Sequence, residues 1–117
     1  MIQIQFVRGL NETTIPEIRL TRSNSRETGT ATFHFRRPDI FSINWKECSE
    51  ITGMYILNKN RIIKTRYIKI YFKNGKPETL EAIYILRNID EWNKLIKILN
   101  QFSEQNNLIF MKANIQD

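Results

Sequence analysis

Apolar and polar residues alternate at every second position in four stretches of this sequence, and this alternation constrains the fold more than any other feature. The four stretches are residues 2–7, 17–22, 30–36 and 67–73. Successive side chains of a β-strand point to opposite faces of its sheet, so each stretch predicts a strand with one face buried and one exposed. In the third stretch, Ala31, Phe33 and Phe35 are expected on the buried face.

Further strands are predicted from apolar runs that end at turn residues. They cover residues 52–58, 61–73 and 79–87. The link Asn58-Lys59-Asn60 favours a hairpin between the first two, and Asn74-Gly75 is a stronger signal for a hairpin between the last two. The register of this second hairpin stays open, because residues 79–87 are apolar at both odd and even positions.

A long helix is the clearest element of the C-terminal part of the chain. It is predicted over residues 88–105, where apolar side chains recur at helical spacing, at Trp92, Leu95, Ile96, Leu99 and Phe102. Asn88 and Glu91 have the spacing of a capping box, in which each side chain binds a backbone N–H of the first turn. A shorter helix is predicted over residues 38–48, starting at Pro38 or Asp39.

Together these elements predict one α+β domain over residues 1–117, with a mainly antiparallel β-sheet, one short helix and one long C-terminal helix. Residues 9–16 and 23–29 are interpreted as loops, and the apolar residues 108–111 are expected to lie against the sheet. No stretch approaches the ~20 apolar residues of a membrane span. The first residues are typical of a strand and not of a targeting segment.

Positive charge is concentrated in two segments of the chain. The formal net charge is +6, and residues 59–76 alone carry seven lysines and arginines and no acid. Residues 22–38 carry four arginines and a single acid around one predicted strand. Such patches attract nucleic acid, anionic membranes or acidic protein surfaces. The alternative is that these cations keep exposed strand faces and edges soluble.

Catalytic and metal chemistry find little support in the residues. His34 is the only histidine and Cys48 the only cysteine, so an internal disulfide, a histidine cluster and a cysteine-paired metal site are excluded. No nucleophile motif and no phosphate-binding glycine loop is present. His34 is therefore interpreted as a strand residue without a catalytic role, and Cys48 as a small, half-buried apolar group.

Two binding functions remain open. In residues 67–73, Tyr67, Lys69 and Tyr71 share one predicted face, and aromatic rings between cations are able to stack on bases and neutralise phosphates. A basic nucleic-acid-binding module is therefore one hypothesis. A protein-docking module is the other, because arginines bind carboxylates in pairs of hydrogen bonds and a sheet edge accepts a further strand.

Several stretches of the sequence resemble the Psb28 family of photosystem II proteins. They are residues 4–41, which begin IQFVRGLNETTIPEIRL, then 50–57, 81–87, and the helix around Glu91-Trp92. The resemblance extends over nearly the whole chain and is most specific between Phe6 and Phe41. The basic segment 59–76 resembles the family less closely.

The resemblance implies a small extrinsic protein that is not an enzyme and carries no cofactor. It implies transient docking on photosystem II assembly or repair intermediates at the stromal, or cytosolic, side of the thylakoid. The implied partners are the larger inner-antenna chlorophyll protein, with reaction-centre and cytochrome b-type subunits nearby, reached by strand addition. It implies a peripheral thylakoid protein of a plastid or a cyanobacterium, without a nucleic-acid partner or a small-molecule substrate.

Ten residues are predicted to contact such a partner. The arginines within the family-like block are expected to make electrostatic contacts, and these are Arg22, Arg26, Arg36 and Arg37. Polar contacts from the sheet face are expected from Thr30, Thr32 and His34. A second group is Tyr67, Lys69 and Tyr71. As an alternative, Arg36 or Arg37 pairs within the chain with Asp39 or Glu50.

Overall fold

The structure, a computed structural model, describes residues 1–25, 27–42, 51–59, 61–106 and 111–115. These residues form nine strands, one 3-10 helix and one α-helix. The strands are β1 (Ile2–Val7), β2 (Leu10–Glu12), β3 (Glu17–Arg22), β4 (Gly29–Arg36), β5 (Met54–Asn58), β6 (Arg61–Thr65), β7 (Tyr67–Lys73), β8 (Lys76–Leu86) and β9 (Met111–Ile115). The 3-10 helix is Asp39–Ser42 and the α-helix is α1 (Ile89–Asn106).

The strands form two sheets. In the four-stranded sheet the order is β2-β1-β5-β6, and every neighbouring pair is antiparallel. In the five-stranded sheet the order is β7-β8-β4-β3-β9, and only the β3–β9 pair is parallel. The predicted α+β class with a mainly antiparallel sheet and a long C-terminal helix is confirmed.

The core lies where the inner faces of the two sheets and the apolar side of α1 meet. Phe6 of β1 contacts Phe35 of β4 edge to face, with 4.8 Å between the ring centroids. Leu95 and Leu99 of α1 belong to the same buried cluster. Ala31, Phe33 and Phe35 have no exposed surface, as their alternation predicts.

The predicted strand 61–73 is wrong in one respect, because it is two strands in two sheets. The chain leaves the four-stranded sheet after Thr65 and enters the five-stranded sheet at Tyr67, with Arg66 between them. The Thr65 hydroxyl donates to the carbonyl of Ile83 and accepts from the N–H of Tyr67, so it bridges the start of the β7–β8 pair. Inward positions alternate within each strand, but they change from odd numbers in β6, at Ile63 and Thr65, to even numbers in β7, at Ile68 and Ile70. The alternation therefore shifts by one residue at the crossover.

Both predicted hairpins are confirmed, and the structure supplies the register that the sequence left open. Asn58 pairs with Arg61 across the first turn, and Lys73 pairs with Lys76 across Asn74-Gly75. Asn74 and Gly75 both have positive φ, of 54° and 79°, as two-residue turns of type I′ require. A bulge between Tyr71 and Phe72 then shifts the pairing, so that Tyr67 lies opposite Ile83.

Two short strands were not predicted. β2 lies within the expected loop 9–16 and pairs with β1 across a shift in register between Gln5 and Val7. β9 adds a parallel strand beside β3. Residues 108–110 of the predicted apolar tail lie outside the described residues, as do residues 43–48 of the predicted short helix.

Helix α1 begins one residue later than predicted and is capped by the expected residues. The Asn88 side chain accepts from the Glu91 N–H at 2.9 Å, while Glu91 reaches back to the N–H of Arg87 and not to that of Asn88. Near the other end, the Gln105 side chain binds both the N–H and the carbonyl of Ile2 in β1. Over the described part of the chain, no helix combines the length and apolar character needed to cross a membrane.

Candidate functional site

The predicted contact residues converge on one face of the five-stranded sheet, here called the outer face. It consists of alternate residues of four strands: 17, 19 and 21 of β3, 30, 32, 34 and 36 of β4, 79, 81, 83 and 85 of β8, and 67, 69 and 71 of β7. Residues opposite each other on paired strands share a face. None of these side chains is buried, so the structure leaves the whole outer face open.

Two rows of residues cross the middle of the outer face. In one row, Thr32 lies between Arg19 and Ile83, and Ile83 lies opposite Tyr67. The other row joins Glu17, His34, Glu81 and Lys69 in that order. Two strand pairs far apart in sequence, β3–β4 and β7–β8, thus bring an arginine, a tyrosine, a histidine and a lysine within one surface.

Seven of the ten predicted contact residues belong to the outer face. They are Thr30, Thr32, His34, Arg36, Tyr67, Lys69 and Tyr71. Tyr67 and Tyr71 are about half exposed, at 54% and 46%, which is unusual for large aromatic side chains on a small domain. The two groups of residues that the sequence predicted separately are therefore one surface.

The outer face is less cationic than the sequence suggested. Its cations Arg19, Arg36 and Lys69 are offset by the carboxylates Glu17 and Glu81. The Nδ1 atom of His34 lies 3.9 Å from a carboxylate oxygen of Glu81, and both side chains are partly exposed. Opposite charges alternate across the surface, which suits a mixed polar protein surface better than a polyanion.

Arg22 does not belong to the outer face. It follows Ile18 and Leu20 on the core side of β3, and its guanidinium lies 4.7 Å from the ring centroid of Trp92 in α1. A Cβ at Gly29, opposite Arg22, would meet the same indole at 2.4 Å. Arg22 therefore covers the buried tryptophan, and its role as a partner contact stays a prediction.

The other two predicted arginines also lie apart from the outer face or outside the described residues. Arg26 lies outside the described residues. Arg37 has a φ of 49° and pairs with Glu78, with 3.1 Å between Nε and Oε1, so the alternative of an Arg37–Asp39 pair is wrong. The Asp39 carboxylate instead accepts from the N–H and the hydroxyl of Thr13, and these hydrogen bonds lower the pKa of Asp39.

Sequence reasoning missed several outer-face residues, most of them on β8. Arg19 lies on the exposed side of the alternating stretch 17–22, but this alternation alone does not link it to the site, and no local pattern singles out Glu81 or Ile83. In β3 the alternation of apolar and polar residues indicates which side chains are exposed. Residues 79–87 are apolar at both odd and even positions, so their sequence does not indicate the exposed face. Only the β4–β8 pairing places Glu81 opposite His34.

Strand β7 forms an edge of the five-stranded sheet and pairs only with β8 among the described strands. The carbonyl of Ile83, which lies opposite Tyr67, points toward β7. In an antiparallel pair every second residue directs its N–H and carbonyl to the partner strand, so those of Tyr67, Lys69 and Tyr71 point toward β8. The peptide groups of Ile68 and Ile70 then point away from the sheet. An extended segment of a partner is able to pair with this edge.

The arrangement offers binding chemistry and no evident reaction chemistry. Within the ranges that the structure describes, no group of three or more histidine, cysteine, aspartate and glutamate side chains is placed to hold a metal ion. The carboxylate of Glu81 lies beside His34. The two residues directly opposite His34 on the neighbouring strands are Glu17 and Glu81, so neither is a serine, cysteine or lysine that would form a nucleophile–base pair with it.

Comparison with known proteins agrees with the resemblance noted in the sequence. A sequence model of the family described as "Psb28 protein" matches residues 4–110. A Nostoc sp. protein named "Photosystem II reaction center Psb28 protein" is 45% identical over 113 residues, covering 97% of this chain and 100% of its own length. Proteins of the same name from Phaeodactylum tricornutum and Pyropia yezoensis are 42% and 40% identical, over 96% and 97% of this chain and 97% and 99% of their own lengths.

Proposed function

Because the chain belongs to the Psb28 family, we propose that it is a photosystem II-associated protein that acts without catalysis, as an assembly or repair factor. In this proposal the protein attaches to incomplete photosystem II at the stromal, or cytosolic, surface of the thylakoid and leaves when the complex matures. Its partners are the larger inner-antenna chlorophyll protein and the adjoining reaction-centre and cytochrome b-type subunits.

The single observation that carries the docking proposal is the open outer face beside the open β7 edge. The exposed rings of Tyr67 and Tyr71 supply apolar contact area, and the surrounding charges of both signs supply orientation. Tyrosine is also a side chain that often dominates binding energy at protein interfaces. We propose that an extended segment of the partner pairs with β7 while neighbouring loops cover the outer face.

A basic nucleic-acid-binding module remains the second candidate, favoured by Tyr67, Lys69 and Tyr71 standing exposed on one strand. The carboxylates of Glu17 and Glu81 lie in the same surface and would repel a phosphate backbone. Tight RNA binding with a steep salt dependence would favour this second function. We expect weak binding that disappears at physiological salt.

The proposed strand pairing is tested at Ile70, whose N–H points away from β8. Ile70→Pro removes this donor but leaves the hydrogen bonds to β8 in place, whereas Ile70→Ala loses the same packing and keeps the donor. Tagged Ile70→Pro protein is expected to lose most photosystem II subunits on affinity purification from thylakoids, and Ile70→Ala to keep them. Equal recovery with the two variants would argue against pairing at this edge.

A further inference from the structure

A notch lies at the point where the chain crosses from one sheet to the other. β7 pairs with β8 only as far as Ile83, while β8 continues to Leu86 beside β4. The end of β8 thus projects past the start of β7 and leaves an open cavity of about 230 Å³. The cavity adjoins the outer face through Tyr67 and Ile85 but includes none of its charged residues.

Three cations from separate parts of the chain line the notch. Lys64 is the next-to-last residue of β6, Arg66 is the crossover residue, and Arg87 follows β8. No carboxylate lines the cavity, and in the described part of the chain none of these three cations forms an ion pair with a carboxylate. Three like charges around one opening repel each other unless an anion enters.

The backbone adds a hydrogen-bond donor to these charges. The carbonyl of Ile83 points toward β7, so the peptide groups of Ile85, two residues further along β8, point to the same side. β7 no longer pairs with β8 at Ile85, so the N–H of Ile85 faces the cavity. A fixed N–H in a cavity that Arg66 and Arg87 also line is an arrangement that binds oxyanions.

Tyrosines form the walls of the notch. Burial raises the pKa of Tyr84, and the charge of the nearby Glu91 raises it further against the opposing effect of Arg87, so the phenol stays neutral at physiological pH. Tyr67 stands half exposed at the opening. The two phenols therefore add no negative charge of their own, and the Glu91 carboxylate near Tyr84 is not part of the cavity lining.

We propose that this notch binds a phosphate-type oxyanion, held by Lys64, Arg66, Arg87 and the N–H of Ile85. The cavity is smaller than the roughly 300–1,000 Å³ that drug-sized ligands occupy. It accommodates a single charged group, either free phosphate or the phosphate of an anionic lipid headgroup whose remainder stays outside. The three cations belong neither to the outer face nor to the β7 edge, although Tyr67 and Ile85 are shared with the docking surface.

The test is a titration of the full-length, isotope-labelled protein with sodium phosphate, followed by NMR of the amide groups. Sodium chloride at equal ionic strength and sodium acetate serve as controls. We expect saturable shifts of the Ile85 amide and of the side-chain N–H groups of Arg66 and Arg87 with phosphate alone. Equal shifts with chloride, or equally tight binding of acetate, would overturn the proposal.

Matched charge variants separate the notch from general electrostatic attraction. Arg66→Gln with Arg87→Gln should weaken phosphate binding at least about tenfold, because two charge-assisted hydrogen bonds are lost. Lys94→Gln with Lys97→Gln removes the same charge from exposed positions of α1 and should change the affinity less than about twofold. Wild-type affinity in the first variant would contradict the assignment. If that variant does not fold, the shift of the wild-type Ile85 amide and the Lys64→Gln variant decide.

Vesicles distinguish the two sources of the phosphate. Sedimentation with phosphatidylglycerol vesicles, but not with phosphatidylcholine vesicles, together with competition by free phosphate, would assign the notch to a lipid headgroup. Binding of free phosphate without vesicle binding would assign it to a soluble ligand. Binding of neither probe would overturn the proposal.

Discussion

The two faces of strand β4 differ as much as any two surfaces in this molecule. Ala31, Phe33 and Phe35 on its inner face have no exposed surface, whereas Thr32 and His34 between them are partly exposed and Arg36 is open to solvent. The inner face belongs to the core that holds the two sheets and α1 together. The outer face contributes little to that core, so its residues are free to serve a partner.

The contrast between the two faces of β4 predicts that the largest loss of stability follows substitution of Phe33. Phe33→Ala leaves a cavity in a fully buried site and should lower the free energy of unfolding by about 3–5 kcal/mol. Thr32→Ala, one residue away on the outer face, should change it by less than about 0.5 kcal/mol. Urea unfolding of both variants measures the two values, and similar losses would mean that the outer face is also structural.

Asp39, just beyond the end of β4, should show an intermediate effect. Its carboxylate accepts from Thr13, and Asp39→Asn should lower the free energy of unfolding by about 1 kcal/mol at neutral pH. The Thr13 side-chain and backbone hydrogen bonds lower the pKa of Asp39 below its ordinary value of 3.8. Stability from this group is therefore present above that value and lost as the pH falls through the lower, folded-state pKa.

Chemical unfolding, measured in steps of ~0.5 pH units from pH 5 down to the pH at which the protein unfolds in acid, tests the predicted direction of this pH dependence. The wild-type protein should lose more stability on acidification than Asp39→Asn does. Parallel curves for the two proteins would show that this carboxylate does not contribute to acid sensitivity.

A smaller difference is expected between two arginines on opposite faces. Arg22→Ala removes the guanidinium above Trp92 and should cost about 0.5–1 kcal/mol. Arg19→Ala, three positions earlier on the outer face of the same strand, should be close to neutral in stability. Thermal unfolding of the pair sharpens the comparison, and a larger loss from Arg19→Ala would reverse the faces that we assign to these residues.

An effect on stability no larger than that of Arg22→Ala is expected from the exposed tyrosines of β7. Tyr67→Ser with Tyr71→Ser should change the free energy of unfolding by no more than about 1 kcal/mol, since both rings are about half exposed. The same variant should recover clearly less photosystem II on affinity purification. A stable variant that recovers the wild-type amount would exclude these rings from the interface.

The inner face was predictable from the sequence, and most of the outer face was not. Alternation is local, so residues 30–36 alone indicate that Phe33 and Phe35 are buried. The turn at Asn74-Gly75 and the caps at Asn88 and Glu91 are local signals as well, and they placed a hairpin and a helix correctly.

What failed depends on contacts between distant residues. Arg66 interrupts a strand because β6 and β7 join different sheets, and no glycine or proline near Arg66 marks this change in the sequence. The contact of Arg22 with Trp92 was not predictable, because Trp92 lies on an element far away in the chain. The acids that moderate the outer face, Glu17 and Glu81, were placed only by strand pairing.

The most direct test of the docking proposal is photo-crosslinking from single positions in the living photosynthetic cell. A photoreactive amino acid at Tyr71 on the outer face should crosslink to photosystem II subunits, and the larger inner-antenna chlorophyll protein should be among them. The same amino acid at Lys97, on the exposed side of α1, should give little or none. Crosslinks to photosystem II from position 97 but not from position 71 would contradict the assignment of the outer face.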